Sequence, residues 1–271
     1  MRKPRALVLH AAGTNRDPDA CVALGLAGAE PEIVHVKALR AKERRFEDYD
    51  LLVIPGGFSY ADALGAGRLF ALDLASYFED EVEAFVAAGK PVIGICNGFQ
   101  VLVKAGILPG PGRRSPGAVE QGDERRATLA RNENGRFECR WVRMAAPSSK
   151  CVWTRSLQEN GGILACPVAH GEGRFVVDAA GTLDELESAG RIALVYVDGT
   201  GRPAGGAYPA NPNGSVADIA GICNAAGNVL GLMPHPENNV VYRNRAGAIS
   251  PLATAACLEL WKSGVEYAAE C

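Results

Sequence analysis

The 271-residue sequence has no run approaching the roughly 20 apolar residues that a membrane span requires. It has no CxxC pair and no Cys/His ligand spacing, although it carries eight cysteines: Cys21, Cys96, Cys139, Cys151, Cys166, Cys223, Cys257 and Cys271. That excludes the common zinc and disulfide frameworks and leaves no metal site to expect. It also lacks a basic tract. Its 28 Lys and Arg stand against 31 Asp and Glu, a formal net charge of −3, so neither nucleic acid nor an anionic membrane is the expected partner. No GxxxxGKS/T run is present to cradle nucleotide phosphates. The opening MRKPRALVLHAAG offers only a short apolar stretch, which reads as a first strand rather than a secretory signal. Without an export signal, the expectation is a cytoplasmic chain with reduced cysteines, most of them small buried apolar residues.

What is present is an alternation of apolar runs and amphipathic stretches over the first hundred residues. ALVLH (6–10) precedes a Gly-Thr-Asn turn and the helical DACVALGLAGAE (19–30). EIVHVK (32–37) and LLVIPGG (51–57) follow as strands, and RLFALDLASYFEDEVEAFVAAG (68–89) reads as one long helix stopping at Gly89. PVIGIC (91–96) then runs directly into the helical NGFQVLVKAG (97–106). This pattern predicts an α/β fold with a mostly parallel central sheet and helices on both faces, a three-layer sandwich of flavodoxin-like type. Its strands share one carboxyl edge, where ligands bind.

The texture changes near residue 107. The stretch 109–126, rich in Pro, Gly and Arg, predicts an exposed loop insertion. Additional strands are expected in the second half at ATLARN (127–132), RFECRWVRM (136–144), GILACPVAH (162–170), RFVVDA (174–179) and RIALVYVDG (191–199). VADIAGICNAAGNVLGLMPH (216–235) reads as a hairpin, and a last helix is expected around 251–262. No repeat or linker divides the chain, so residues 1–271 are expected to form one domain.

The most informative segment is PVIGICNGFQVL (91–102). Cys96 ends an apolar strand, begins a helical pattern, and has Gly94 and Gly98 two residues to either side. That is a nucleophile elbow with cysteine in place of serine: the turn is tight enough to demand the glycines and pushes the sulfur out at the carboxyl edge. The helix N-terminus there favours thiolate over thiol. A buried structural cysteine is the bland alternative, and it suits the other seven better. Such a nucleophile needs a base, and the chain has only four histidines. His10 and His35 fall on strand positions and read as structural, leaving His170 and His235. In LMPHPE, Pro234 and Pro236 hold the backbone extended, and alternation sends His235 and Glu237 to one side. A carboxylate there can fix the imidazole tautomer, as the third member of a triad does. PGGFSYAD (55–62) follows a central strand, and its glycines would let backbone N–H groups approach a substrate oxyanion.

Together these residues resemble the class I, or triad, glutamine amidotransferases. GICNGFQ and MPHPE carry the resemblance to the superfamily. FSYAD, AHGEGRF and NPNGS narrow it to the branch that supplies ammonia to phosphoribosylformylglycinamidine synthase in purine biosynthesis, and the likeness spans nearly the whole chain. The resemblance implies that Cys96 attacks the glutamine amide, with His235 and Glu237 as its base system, through a γ-glutamyl thioester. It implies oxyanion donors at the backbone N–H groups of Gly57 and Asn97, and substrate contacts at Gln100, His170 and Gly171. It also implies that ammonia passes to a synthetase subunit using ATP and magnesium, with or without a small accessory subunit, and that this chain holds no cofactor itself. Three features depart from the family pattern. Ala61 replaces a glycine beside the oxyanion loop and would be strained at positive φ; Asn238 replaces an arginine; and DALGAG (62–67) is closer to the fused large form. A cysteine hydrolase of the same fold is the first competing reading, disfavoured because Asn97 occupies the place where such enzymes carry histidine. A non-catalytic module and an amidotransferase for another acceptor are the others.

Overall fold

The computed structural model describes residues 2–110, 126–241 and 251–271, apart from the side chains of 251–254. The expected insertion therefore lies, from 111 to 125, outside the described residues. With elements numbered along the chain, nine strands form one sheet. In spatial order β2 (Glu30–His35), β1 (Arg5–His10), β3 (Leu51–Ile54), β4 (Val92–Ile95) and β11 (Val229–Leu232) all run parallel. The sheet continues antiparallel through β10 (Ile219–Cys223), β9 (Ile192–Val197), β6 (Glu138–Ala145) and β7 (Ile163–His170). β5 (Ala127–Ala130) and β8 (Arg174–Val177) pair apart from it. Every residue of β3, β4, β10 and β11 is buried, which is why these read as unbroken apolar runs rather than as alternating strands.

Helices flank the sheet. α1 (Asp17–Ala27) packs on α8 (Pro251–Glu270), which also meets α6 (Arg155–Asn160). On the other layer α3 (Arg68–Tyr77) contacts both α4 (Glu79–Ala87) and α5 (Asn97–Lys104). The short α2 (Val36–Arg40) and α7 (Ala180–Ser188) follow β2 and β8.

Several expected boundaries move, among them the following. The run 68–89 is two helices, because Phe78 (φ −139°, ψ 16°) leaves helical geometry and turns into the core, its ring 5.6 Å from that of Phe46. Glu79, Asp80 and Glu81 then sit in the first turn of α4, where the helix dipole favours acidic groups. The strand expected at 32–37 stops at His35, whose Nδ1 accepts the Lys37 N–H at 3.0 Å and caps α2. The last helix runs on to Glu270.

This topology positions the site. Gly94 of β4 is in register with Ile54 of β3 and Gly231 of β11, so the segments leaving all three strands emerge together at the carboxyl edge.

Candidate active site

Cys96 is the single residue between β4 and α5, and its backbone (φ 51°, ψ −104°) lies where L-residues are rarely found. Such geometry costs about 1–3 kcal/mol and persists only where surroundings over-determine it. Here the Cys96 N–H donates to Leu232 O at 2.8 Å, and its carbonyl accepts from the Gln100 N–H at 3.1 Å. The flanking glycines are required by close approach. A Cβ on Gly94 would come within 2.6 Å of the Gly98 carbonyl oxygen, and one on Gly98 would collide with the Ile54 carbonyl of β3. The sulfur is buried and lies 3.7 Å from Ala169 O.

His235 and Glu237 meet as expected, Nδ1 to Oε1 at 2.7 Å, but not by extended-chain alternation. Pro236–Asn239 is a single 3-10 turn that folds the carboxylate back onto the ring. Both residues are 3% exposed. Burial alone would lower the His235 pKa. The Glu237 carboxylate overrides it, helped by the charge and hydrogen bond of the adjoining Cys96 side chain, and raises the pKa to about 10. A Cβ on Gly56 would lie 2.7 Å from His235 Cε1, so the imidazole packs directly on the glycine loop that follows β3.

The N–H groups of Gly57 in that loop and of Asn97 at the start of α5 donate no hydrogen bond among the described residues, as an oxyanion site requires. Phe58 N–H donates to Gly13 O at 3.0 Å and Tyr60 N–H to Ala12 O at 2.6 Å, fixing the loop to the turn after β1. Tyr60, Ala61 and Asp62 are all left-handed (φ 54°, 54° and 51°). Alanine at 61 thus sits in the strained conformation that its replacement of glycine implied.

The remaining expected residues form the facing wall. Gln100 Nε2 donates to Glu172 O at 2.6 Å, joining α5 to the loop after β7. His170 is 3% exposed; burial, then the charge of His235, lower its pKa to about 4, so it is neutral at physiological pH. Its Nδ1 lies 3.1 Å from Asn132 Oδ1, which makes Nδ1 the donor and leaves buried Nε2 an acceptor without a partner among the described residues. Gly171 follows at the turn, its carbonyl accepting from Asn132 N–H at 2.9 Å.

Sequence reasoning missed what holds this wall. Asn132 also accepts from Gly173 N–H at 3.0 Å and donates to His170 O at 2.8 Å. Asn213 donates to Gly173 O at 2.8 Å, and Ser215 Oγ accepts from Phe175 N–H at 3.0 Å. NPNGS (211–215) was legible as a motif; its use as a scaffold was not. Asn238 donates to Asp19 at 3.0 Å, tying the histidine turn to α1. His10 pairs with Asp17 at 2.8 Å and, like the helix-capping His35, serves structure. All eight cysteines are free. Among the described residues no group of three or more His, Cys, Asp or Glu is placed to hold a metal, and no helix is long and apolar enough to cross a membrane.

Residues 3–268 match the CobB/CobQ-like glutamine amidotransferase domain. The chain is 62% identical over 270 residues to the phosphoribosylformylglycinamidine synthase subunit PurQ of Treponema denticola, covering 98% of this chain and 99% of that one. It is 38% identical to the PurQ subunit of Methanococcus maripaludis, covering 97% of both. Among solved structures it resembles a chain of PurLQS from Thermotoga maritima, with a TM-score of 0.71 at 30% identity, covering 98% of this chain and 99% of that one. A Thermotoga maritima glutamine amidotransferase shares the fold, with a TM-score of 0.53 at 17% identity and full coverage of both chains. The buried cysteine–histidine–glutamate cluster at the sheet edge thus sits in a chain that belongs to the CobB/CobQ-like glutamine amidotransferase family.

Proposed function

We propose that Cys96, His235 and Glu237 carry out the glutaminase half-reaction of phosphoribosylformylglycinamidine synthase, whose ammonia-donating component this chain is. The observation that carries the assignment is the 2.7 Å His235–Glu237 contact beside a cysteine held in elbow geometry. The Cys96 thiolate, its proton held on His235, attacks the side-chain carbonyl carbon of glutamine. The oxygen that becomes negative is met by the N–H groups of Gly57 and Asn97. His235 then gives its proton to the amide nitrogen, the C–N bond breaks, and ammonia leaves a γ-glutamyl thioester. His235, now neutral, takes a proton from water; the hydroxide adds to the thioester, the C–S bond breaks, and glutamate departs with the thiolate restored. Glu237 holds the ring tautomer throughout.

The neutral Nε2 of His170, without a partner among the described residues, suits a donor such as the substrate α-ammonium, and Gln100 and the Gly171 backbone are assigned to the same substrate by the family pattern. The released ammonia is consumed by a synthetase subunit that uses ATP and magnesium to convert formylglycinamide ribonucleotide to formylglycinamidine ribonucleotide, joined by a small accessory subunit. Residues 1–271 act as one domain in this reading, and the free cysteines fit a cytoplasmic setting.

The test is glutamate release by the purified chain alone and then with synthetase, ATP and formylglycinamide ribonucleotide. If the partner shifts a competent loop arrangement from about 1% populated to dominant, release rises roughly a hundredfold. No release in either condition from a folded chain overturns the assignment; equal rates overturn the coupling.

A further inference from the structure

The reaction uses only the backbone N–H of Asn97, yet its side-chain amide makes four hydrogen bonds of its own. It is 2% exposed. Its Oδ1 accepts from Ser59 Oγ at 2.6 Å and from Ser59 N–H at 3.3 Å. Its Nδ2 donates to Asp62 Oδ1 at 3.3 Å and to Gln100 Oε1 at 3.1 Å. Both lone pairs and both protons of the carboxamide are therefore used. Three of the four bonds cross to the oxyanion loop and bracket the left-handed run Tyr60–Ala61–Asp62; the fourth stays within α5.

The other ties of that loop lead elsewhere. Phe58 and Tyr60 bond to the backbone of Gly13 and Ala12, and the Tyr60 hydroxyl bonds to Asp73 of α3. None of them relates the loop to the elbow. Consecutive strained residues hold their geometry only when neighbours enforce it, and an oxyanion site works only if its two donors converge on one point. One donor belongs to the loop and the other to α5.

We infer that the Asn97 carboxamide is a positioning residue that registers Gly57 N–H against Asn97 N–H. One residue thus supplies one donor through its backbone and aims the second through its side chain. This rests on the glutaminase reading above. In Asn97→Ala the backbone donor remains, but the loop is released from the elbow. Glutamate formation by the chain assembled with its synthetase should then fall in kcat by about 100-fold, the scale of losing one oxyanion donor. Alkylation of Cys96 by iodoacetamide, a displacement at saturated carbon that builds no oxyanion, should stay within about twofold of wild type. Ser59→Ala removes one of the bonds with little volume change and should lose about tenfold. The double variant should be no slower than Asn97→Ala, because both act through one contact. Unchanged turnover, alkylation falling in parallel with turnover, or multiplicative losses in the double variant would each overturn the inference. A wild-type complex inert on glutamine but alkylated at Cys96 would instead count against the glutaminase reading itself.

Discussion

The parallel strands β3, β4 and β11 deliver their groups to the site directly, whereas the antiparallel strands deliver a wall that needs a scaffold of its own. Cys96 lies one residue beyond β4, Gly57 three beyond β3 and His235 three beyond β11, so sheet hydrogen bonds bring all three to one edge. The loop after β7 is instead held by side-chain amides and a hydroxyl distant in sequence, Asn132, Asn213 and Ser215. In the proposed reading, bond-making groups thus ride on backbone ladders, and the groups assigned to the substrate's unreactive end ride on a side-chain network. Mutations on the two sides should differ in kind. One set should act on chemistry and the other on recognition.

The severest break falls on the parallel side. Cys96→Ser should lower glutamine-dependent turnover by about 10⁴-fold or more, while synthesis driven by ammonium salt continues. His235→Ala should be as damaging, and the double variant no worse than either, because the two act as one unit. Glu237→Gln should be milder, since it removes orientation and charge but no proton acceptor. Steady-state kinetics of the reconstituted complex would measure the cycle. Multiplicative losses would make His235 a structural residue.

The two buried histidines sharpen the contrast through their opposite signs. His235, raised from 6.5 to about 10 chiefly by Glu237 against the opposing effect of burial, contributes stability that is whole below pH 6.5 and lost as pH rises through 10. His170, lowered from 6.5 to about 4 by burial and then by the charge of His235, contributes stability that is whole above pH 6.5 and lost, by about 3 kcal/mol, as pH falls through 4. Urea unfolding across pH should show a shallower alkaline limb in His235→Gln and a shallower acid limb in His170→Gln. Limbs parallel to wild type in both variants would remove the assigned charge states.

How much was legible in the sequence follows the same division. The elbow could be read because tight strand-to-helix geometry dictates glycine at 94 and 98, a local demand that local sequence must meet. The His235–Glu237 pair was legible as a pair, although its 3-10 geometry was not, since prolines restrict a chain without naming the turn it takes. The break at Phe78 was hidden because a buried aromatic at that position fits one helix or two equally well, and packing on Phe46 decides. The roles of Asn132 and Asn213 were hidden for a different reason. Asparagine in a loop ordinarily signals a turn, and nothing nearby says that its amide is buried against a carbonyl forty residues away.

Asn213 gives the subtlest test of the division. It is 1% exposed; its Nδ2 donates to Gly173 O at 2.8 Å and to Tyr196 Oη at 3.2 Å, and its Oδ1 accepts from Ser215 Oγ at 2.7 Å. Asn213→Ala strands buried polar partners, each costing about 1–3 kcal/mol if unsatisfied. The loop from His170 to Gly173 can recover part of this by shifting, and that shift misplaces the substrate-facing wall. KM for glutamine should rise about tenfold, a loss of about 1.4 kcal/mol in substrate binding. Turnover at saturating glutamine should stay within about twofold, because Cys96, Gly57 and His235 are held by strands that Asn213 does not touch. A fall in kcat with KM unchanged would show that the wall also shapes the transition state, and the separation between the two halves of the sheet would fail at that residue.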